Sequence, residues 1–478
     1  MEILIINLPR YQNFSVTREG RCEIVSNNRV DTPAMLLIIA SILRDLDHDI
    51  DFIDANGLDL HYNSIIKQLN NKKYDCAIFT FNSSIIDHEL QICEVIKNQI
   101  PSCLTIGYSW YGLRFGKEIM EEFSNLDIMI IDDPFSVIKK LISSLSNEGD
   151  ITKVGGIVYR NEKEIIQNAE LDQKIKFKDL PIPAYDLLTS FNHNYIFSPL
   201  LRPYALVYAG KGCPFRCNYC PVANTKYGGR SAETIVEELK LLKKVGKIRY
   251  VWFYDEIFTI NRKRVIEVCK KIMEEKLNIK WFCDSRVELV DLELLKWMKK
   301  AGCIGISYGV ESGSQKILDS MNKGNTVKQA INALKLTRIV GIPIQLNLLL
   351  GYDGESIDTL EETRSFVKQV IPEILQITRV FPMHGTNFTK LAFENNWIKS
   401  DTSWKKLLTE QDTLLENYEP FNLNLENEFQ KIRKILYFNP KWYLICLKTL
   451  LMNYHLIIPL FGIFVHKIKQ KILNFCKS

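Results

Sequence analysis

From Tyr204 onward the chain repeats one pattern six times, a short apolar run followed by an amphipathic stretch long enough for a helix. The runs lie near residues 204–209, 248–254, 280–284, 304–309, 342–349 and 374–380. Strands that alternate with helices are joined by crossovers and lie parallel. Six such units suit a partial (β/α)6 barrel of the TIM type, whose working residues gather at the carboxyl ends of its strands. The first run, Tyr204-Ala-Leu-Val-Tyr-Ala-Gly210, leads into Cys213-Pro-Phe-Arg-Cys217-Asn-Tyr-Cys220. Three thiols in C-x3-C-x2-C spacing can wrap one 4Fe-4S cube, whose irons are held by cysteine thiolates. No fourth cysteine follows at ligand distance, so one iron is left open, and an open metal position is where a small molecule binds and is activated. A zinc knuckle would want a fourth Cys or His nearby. The next cysteines, Cys269 and Cys283, fall in a helical stretch and in a later strand.

The ends of the later strands carry the rest of the chemistry. Strand two ends in Tyr254-Asp255-Glu256, strand three leads to Asp284-Ser285-Arg286, strand four gives Gly309-Val-Glu311-Ser312-Gly313-Ser314, and strand five gives Gly351-Tyr-Asp-Gly-Glu355. Taken singly, Asp255-Glu256 reads equally well as an acidic pair at a helix N-terminus, Glu311-Ser312-Gly313 as capping, and Arg286 as a surface charge. Taken in order after successive strands, they converge on one mouth. Carboxylates there can accept from an amino group or ribose hydroxyls, a guanidinium can pair with a carboxylate, and glycines let backbone approach a ligand.

Upstream, residues 1–146 alternate strand and helix five times, with strands at Ile3–Ile6, Ile50–Ile53, Cys76–Phe79, Cys103–Ile106 and Ile128–Ile131. This predicts a doubly wound parallel sheet of the α/β class. Its ligand edge would run through Asn7–Arg10, Asp54–Gly57, Thr80–Ser84 and Gly107–Gly112. Residues 147–200 read as a connector with a possible hairpin around Gly155-Gly-Ile-Val-Tyr159, residues 201–390 as the barrel, and residues 391–478 as a helical C-terminal region. With 46% apolar and 24% charged residues the composition is that of a globular protein. A net charge of only +5, without a Lys/Arg stripe interleaved with aromatics in the first 380 residues, argues against nucleic-acid binding. Nine cysteines outside the motif form no disulfide-like framework, and Met1-Glu-Ile-Leu lacks the basic start of a signal peptide, so a cytoplasmic setting is expected.

The cysteine spacing and the aromatic Tyr219 before the third thiol resemble the radical S-adenosylmethionine (SAM) superfamily. Phe253-Tyr-Asp-Glu256, Arg286, Ala301-Gly-Cys303, Gly309-Val-Glu-Ser-Gly-Ser314, Gly351-Tyr-Asp-Gly-Glu355 and Phe381-Pro-Met-His-Gly-Thr386 narrow the likeness to its members with an N-terminal cobalamin-binding domain. That group includes methyltransferases acting on unreactive carbon or phosphorus and an anaerobic oxidative cyclase of chlorophyll synthesis. The resemblance reaches to about residue 398. It implies a 4Fe-4S cluster on Cys213, Cys217 and Cys220, and SAM chelating the open iron and split on reduction into methionine and a 5′-deoxyadenosyl radical. It also implies a cofactor environment that includes Asp255, Glu256, Arg286, Glu311 and Ser312. An external electron donor such as flavodoxin or ferredoxin, a small-molecule substrate and cobalamin come with it.

The usual D-x-H-x-x-G cobalamin loop is absent, as the resemblance leads one to expect. Two loops depart from the family: Gly107-Tyr-Ser-Trp110 and Asp132-Asp-Pro134 stand where relatives carry glycine-rich turns. Methyl transfer to an unactivated centre is the leading expectation. An oxidative cyclase or rearranging enzyme and a non-catalytic iron-sulfur sensor are the alternatives. The apolar segment Trp442–Val465, followed by Lys467-Ile-Lys-Gln-Lys471, is broken by Lys448, Asn453, His455 and Pro459. It is too interrupted for a spanning helix and reads as two helices packing on the body, with membrane-surface contact as the rival.

Overall fold

The computed structural model describes residues 1–452 apart from Arg21, Asn27, Asn28, Glu148, Lys163, Ser190, residues 198–200 and Asn417. The second half of the expected C-terminal helical pair, residues 453–478, lies outside the described residues.

In chain order the strands are β1 (Glu2–Asn7), β2 (Ser15–Glu19), β3 (Cys22–Ser26), β4 (Asp49–Asp54), β5 (Cys76–Thr80), β6 (Leu104–Tyr108), β7 (Ile128–Ile130), β8 (Ile157–Asn161) and β9 (Glu164–Gln167). They are followed by β10 (Tyr204–Tyr208), β11 (Gly210–Lys211), β12 (Gly228–Gly229), β13 (Tyr250–Tyr254), β14 (Lys280–Ser285), β15 (Cys303–Glu311), β16 (Ile344–Leu350) and β17 (Ile374–Arg379).

The first sheet has the order β4-β1-β5-β6-β7-β8-β9, parallel through β7. Its central strands are buried on both faces, because helices cover both sides of a parallel sheet. The sheet reaches beyond the boundary expected at residue 146: the hairpin assigned to the connector adds β8 and β9 antiparallel to β7. Ile157, Val158 and Tyr159 are all buried, Ile157 and Tyr159 in one core and Val158 in the other.

The second sheet is parallel throughout, with the order β10-β13-β14-β15-β16-β17. It is the expected partial barrel. Its helices start at well-defined caps, such as Ser231 before Ala232–Gly246 and the reciprocal Thr326–Gln329 and Ser356–Thr359 boxes.

The β2–β3 hairpin has no counterpart in the sequence reading. It leaves β1 at the switch point, where the strand order reverses between β4-β1 and β1-β5, and it lies across that edge. Arg18 donates to the carbonyls of Leu8 (3.1 Å) and Pro9 (2.8 Å) and pairs with the buried Glu89. Val16 and Asn56 exchange two hydrogen bonds. Glu23 accepts from Ser83 N (2.7 Å), the Ser109 hydroxyl (2.8 Å) and Trp110 N (3.0 Å). The hairpin tip reaches the barrel, where Tyr254 donates to the Glu19 carbonyl at 2.8 Å.

Burial raises the Glu19 carboxyl from its ordinary 4.5 to about 8, although Met35 N donates to it at 3.0 Å. Between those two values the folded chain holds a proton that the unfolded chain releases, so stability falls as pH rises. The loss from this group is limited to about 1.4 kcal/mol per pH unit. Urea midpoints taken from about pH 5 to pH 8 are expected to fall less steeply for Glu19→Gln than for wild type. Parallel profiles would show that Glu19 titrates normally.

Candidate functional site

β10 delivers the cysteine loop to the barrel mouth. The loop is held by backbone and polar side chains that do not involve sulfur: Cys213 N donates to Thr225 Oγ1 (2.9 Å), Thr225 N to the Cys213 carbonyl (2.9 Å), Asn218 N to the Met321 carbonyl (2.9 Å) and Phe388 N to the Asn218 carbonyl (2.9 Å). Cys213 and Cys217 are buried, Cys220 is half-buried, and all three are free thiols. Cys213 and Cys220 lie against Val222, Ile257, Phe215 and Trp110. Burial pushes the Cys213 thiol up to about 11, and the Cys220 and Cys217 sulfurs push in the same direction, so the three thiols sit within one another's field. Among the described residues no three His, Cys, Asp or Glu side chains converge on one metal ion. A cube takes each thiol of such a loop on a different iron.

Of the residues expected beside this loop, three reach it. Arg286 donates to Cys217 Sγ at 3.4 Å, and its guanidinium lies 3.8 Å from the centre of the Phe215 ring. Glu256 accepts from Gly212 N at 2.9 Å. Glu311, with φ +74°, pairs with Lys323 at 3.0 Å, and Lys323 also donates to the Tyr219 hydroxyl at 3.1 Å. A carboxylate, an ammonium and a phenol therefore form a chain beside the third cysteine.

Two expected residues have another task. Asp255 is buried and accepts from Tyr227 (2.7 Å), Arg264 (3.0 Å) and Ile257 N (3.0 Å). Its carboxylate is spent on the framework. The two-stranded β11–β12 ribbon crosses this pair at Gly210 and Gly229, where a Cβ would collide with Asp255 and with Arg264. Ser312 is fully buried, accepts from Ser314 N at 3.1 Å and lies 3.2 Å from the Thr363 hydroxyl. Two groups that the sequence reading did not single out carry buried polar atoms without partners: the Ser314 hydroxyl and both amide atoms of Asn325. Buried polar atoms normally find partners, so a polar ligand is the natural complement of these.

The mouth opens into a cavity of about 860 Å³ between the two sheets. Trp110–Arg114 and Ile131–Asp133 from the first sheet form one wall, Phe177 and neighbouring lysines of the connector a second, and Gly212, Val222, Tyr227 and Glu256 the third. His384 also lines it, with Nδ1 buried and unpartnered. Burial and the nearby Arg114 hold this imidazole below its ordinary pKa, so it is neutral near pH 7. The expected ligand edge is corrected here: the β2–β3 hairpin is bonded along Asn7–Arg10, Asp54–Gly57 and Thr80–Ser84, and only the β6 and β7 loops face the cavity. Tyr108 turns into the core among Ile106, Ile128 and Phe135, whereas Trp110 stays in the wall, 5.6 Å from the Lys211 ammonium that pairs with Asp133.

Residues 207–367 match the Radical SAM superfamily. The chain is 28% identical to an uncharacterized methyltransferase of Pyrococcus horikoshii over 79% of its own length and 82% of that protein's. It is 25% identical to the anaerobic magnesium-protoporphyrin IX monomethyl ester cyclase of Rubrivivax gelatinosus over 95% and 83%. Its structure resembles that of the radical SAM methyltransferase TsrM from Kitasatospora setae, solved with cobalamin and a [4Fe-4S] cluster. There the TM-score is 0.67 at 13% identity, covering 82% of this chain and 75% of that one. Residues 207–367 are thus matched as a radical SAM domain, and the fold of the chain is that of the TsrM structure.

Proposed function

We propose that this enzyme transfers a methyl group to an unactivated centre of a small molecule and uses cobalamin together with a 4Fe-4S cluster and SAM. The observation that carries this reading is the shared cavity, which joins the β6 and β7 loops of the first sheet to Gly212, Pro221, Val222 and Glu256, the residues that flank the cysteine loop of the barrel. When bound, the cluster supplies the electron that cleaves SAM, and cobalamin supplies the methyl group.

The chain's own residues supply orientation and exclusion. Cys213, Cys217 and Cys220 hold three corners of the cluster, and Arg286 orients Cys217 by donating to its sulfur. Glu256, Glu311 and Lys323 present charge of both signs to a zwitterion. Ser314 and Asn325 offer partners it would satisfy. Asp255 and Ser312 act through the backbone they fix. Trp110, Phe177 and Tyr227 wall the cavity with aromatic surface that suits a flat macrocycle and keeps water from a reactive radical. A reducing cytoplasmic setting and an external electron donor accompany this chemistry. Among the described residues no helix is long and apolar enough to cross a membrane.

Anaerobic incubation with hydroxocobalamin is expected to leave near-stoichiometric pigment after desalting, with a base-off spectrum, because no D-x-H-x-x-G loop is present to offer an imidazole. Colourless protein with an intact cluster would remove cobalamin from the reaction. A second reading, oxidative cyclisation, is favoured by the likeness to the Rubrivivax cyclase across 95% of the chain. Products separate the two: methyl transfer releases S-adenosylhomocysteine, and cyclisation does not.

A further inference from the structure

Among the described residues, the last helix, Pro440–Met452, docks by one side. Trp442 donates its indole N–H to the Pro372 carbonyl at 3.2 Å, and Thr449 donates to Glu373 at 2.8 Å. At about 100° per residue, Trp442, Ile445, Cys446 and Thr449 fall on one arc, and it is this arc that is half-buried or buried. The opposite arc carries Tyr443, Leu447, Leu451 and Leu444 in angular order, and then Lys448 and Lys441. Leu444 is 65% exposed, Leu447 53% and Leu451 70%, and both lysines are exposed. Phe438, 68% exposed, stands just before the helix. Large apolar side chains side by side on an outward face mark an interaction surface.

Charge selects the partner. Residues 429–478 hold nine Lys and Arg and no Asp or Glu, while the whole chain is only +5. The rest of the molecule is therefore net acidic. A second copy docking through the same face would set Lys441 and Lys448 against their own images, since a twofold interface pairs a surface with itself. An anionic lipid surface meets both features, apolar side chains entering the acyl boundary and lysines at the headgroups.

We propose that the outer face of Pro440–Met452 seats the enzyme on an anionic membrane surface. The helix rests on Pro372 and Glu373, immediately before β17 begins. That is the amino end of the barrel strands, opposite the mouth. The membrane contact is thus a tether that leaves the cavity facing away from the bilayer. This inference does not depend on the cofactors.

The test is flotation of the full-length protein with vesicles of phosphatidylcholine alone or with about one-third phosphatidylglycerol. Wild type is expected to float with the anionic vesicles, weakly with neutral ones, and less as salt rises. Lys441→Glu with Lys448→Glu is expected to weaken binding by at least fivefold per lysine, and Leu447→Glu with Leu451→Glu to abolish it, both without change in iron content. Wild type that stays in the lipid-free fraction would overturn the proposal. So would binding unaffected by either pair, or a dimer in light scattering that the leucine pair converts to monomer without any vesicle binding. Should the leucine pair fail to fold, the lysine pair and the salt series decide alone.

Discussion

Replacing Cys213, Cys217 and Cys220 together with alanine is expected to reduce iron and sulfide to background after anaerobic reconstitution, against about four irons per wild-type chain, while leaving the fold intact. The loop's shape rests on Thr225, Asn218 and the Met321 and Phe388 backbone rather than on the thiols. The substitutions therefore remove ligands without removing the scaffold. Cluster content is read from iron and sulfide assays, and fold from thermal unfolding and far-UV circular dichroism. Undiminished iron in a folded triple variant would place the cluster elsewhere.

Asp255→Ala is expected to cost about 3–5 kcal/mol of stability, the usual effect of leaving a buried charge without its partner. The carboxylate is buried, and its loss strands Arg264, whose remaining bonds go to the Ala209 carbonyl (2.9 Å) and the Phe258 carbonyl (3.2 Å). That cost is a large part of a typical domain's margin, so much of the variant is expected to be insoluble. Asp255→Asn keeps an acceptor for Ile257 N and is expected to lose less. Urea unfolding of the two variants measures the difference. Wild-type stability in Asp255→Ala, combined with lost SAM affinity, would return Asp255 to direct contact with the cofactor.

Apolar periodicity made both sheets legible, because parallel strands buried on both faces leave short unbroken runs such as Ile3–Ile6 and Tyr204–Tyr208. The cysteine loop was legible because metal ligands must be close in sequence when one loop supplies three. The β2–β3 hairpin was not. Its strands bury Ser15, Thr17, Arg18 and Glu19, whose burial is made tolerable only by distant partners such as Glu89, so no hydrophobic pattern announces it. This concealed element is why the expected ligand edge at Asn7 and Thr80–Ser84 proved covered.

Asp255 misled for a related reason. An acidic pair after a strand has the same sequence whether it faces a ligand or a buried arginine. Arg264 itself looks like one more cation in Arg262-Lys-Arg264 on an amphipathic helix. Lys323 sits in the turn-forming run Asn322-Lys-Gly-Asn325, which signals a loop and nothing of its approach to Glu311 and Tyr219.

The central claim is that Cys213, Cys217 and Cys220 would hold a cluster that supports cleavage of SAM beside the cavity between the two sheets. Dithionite-reduced, reconstituted enzyme incubated anaerobically with SAM is the most direct measurement, with products separated by chromatography. The account predicts 5′-deoxyadenosine from wild type, even slowly without substrate, and none from the triple cysteine variant. Wild type with a full complement of iron that leaves SAM intact under every reductant would contradict it.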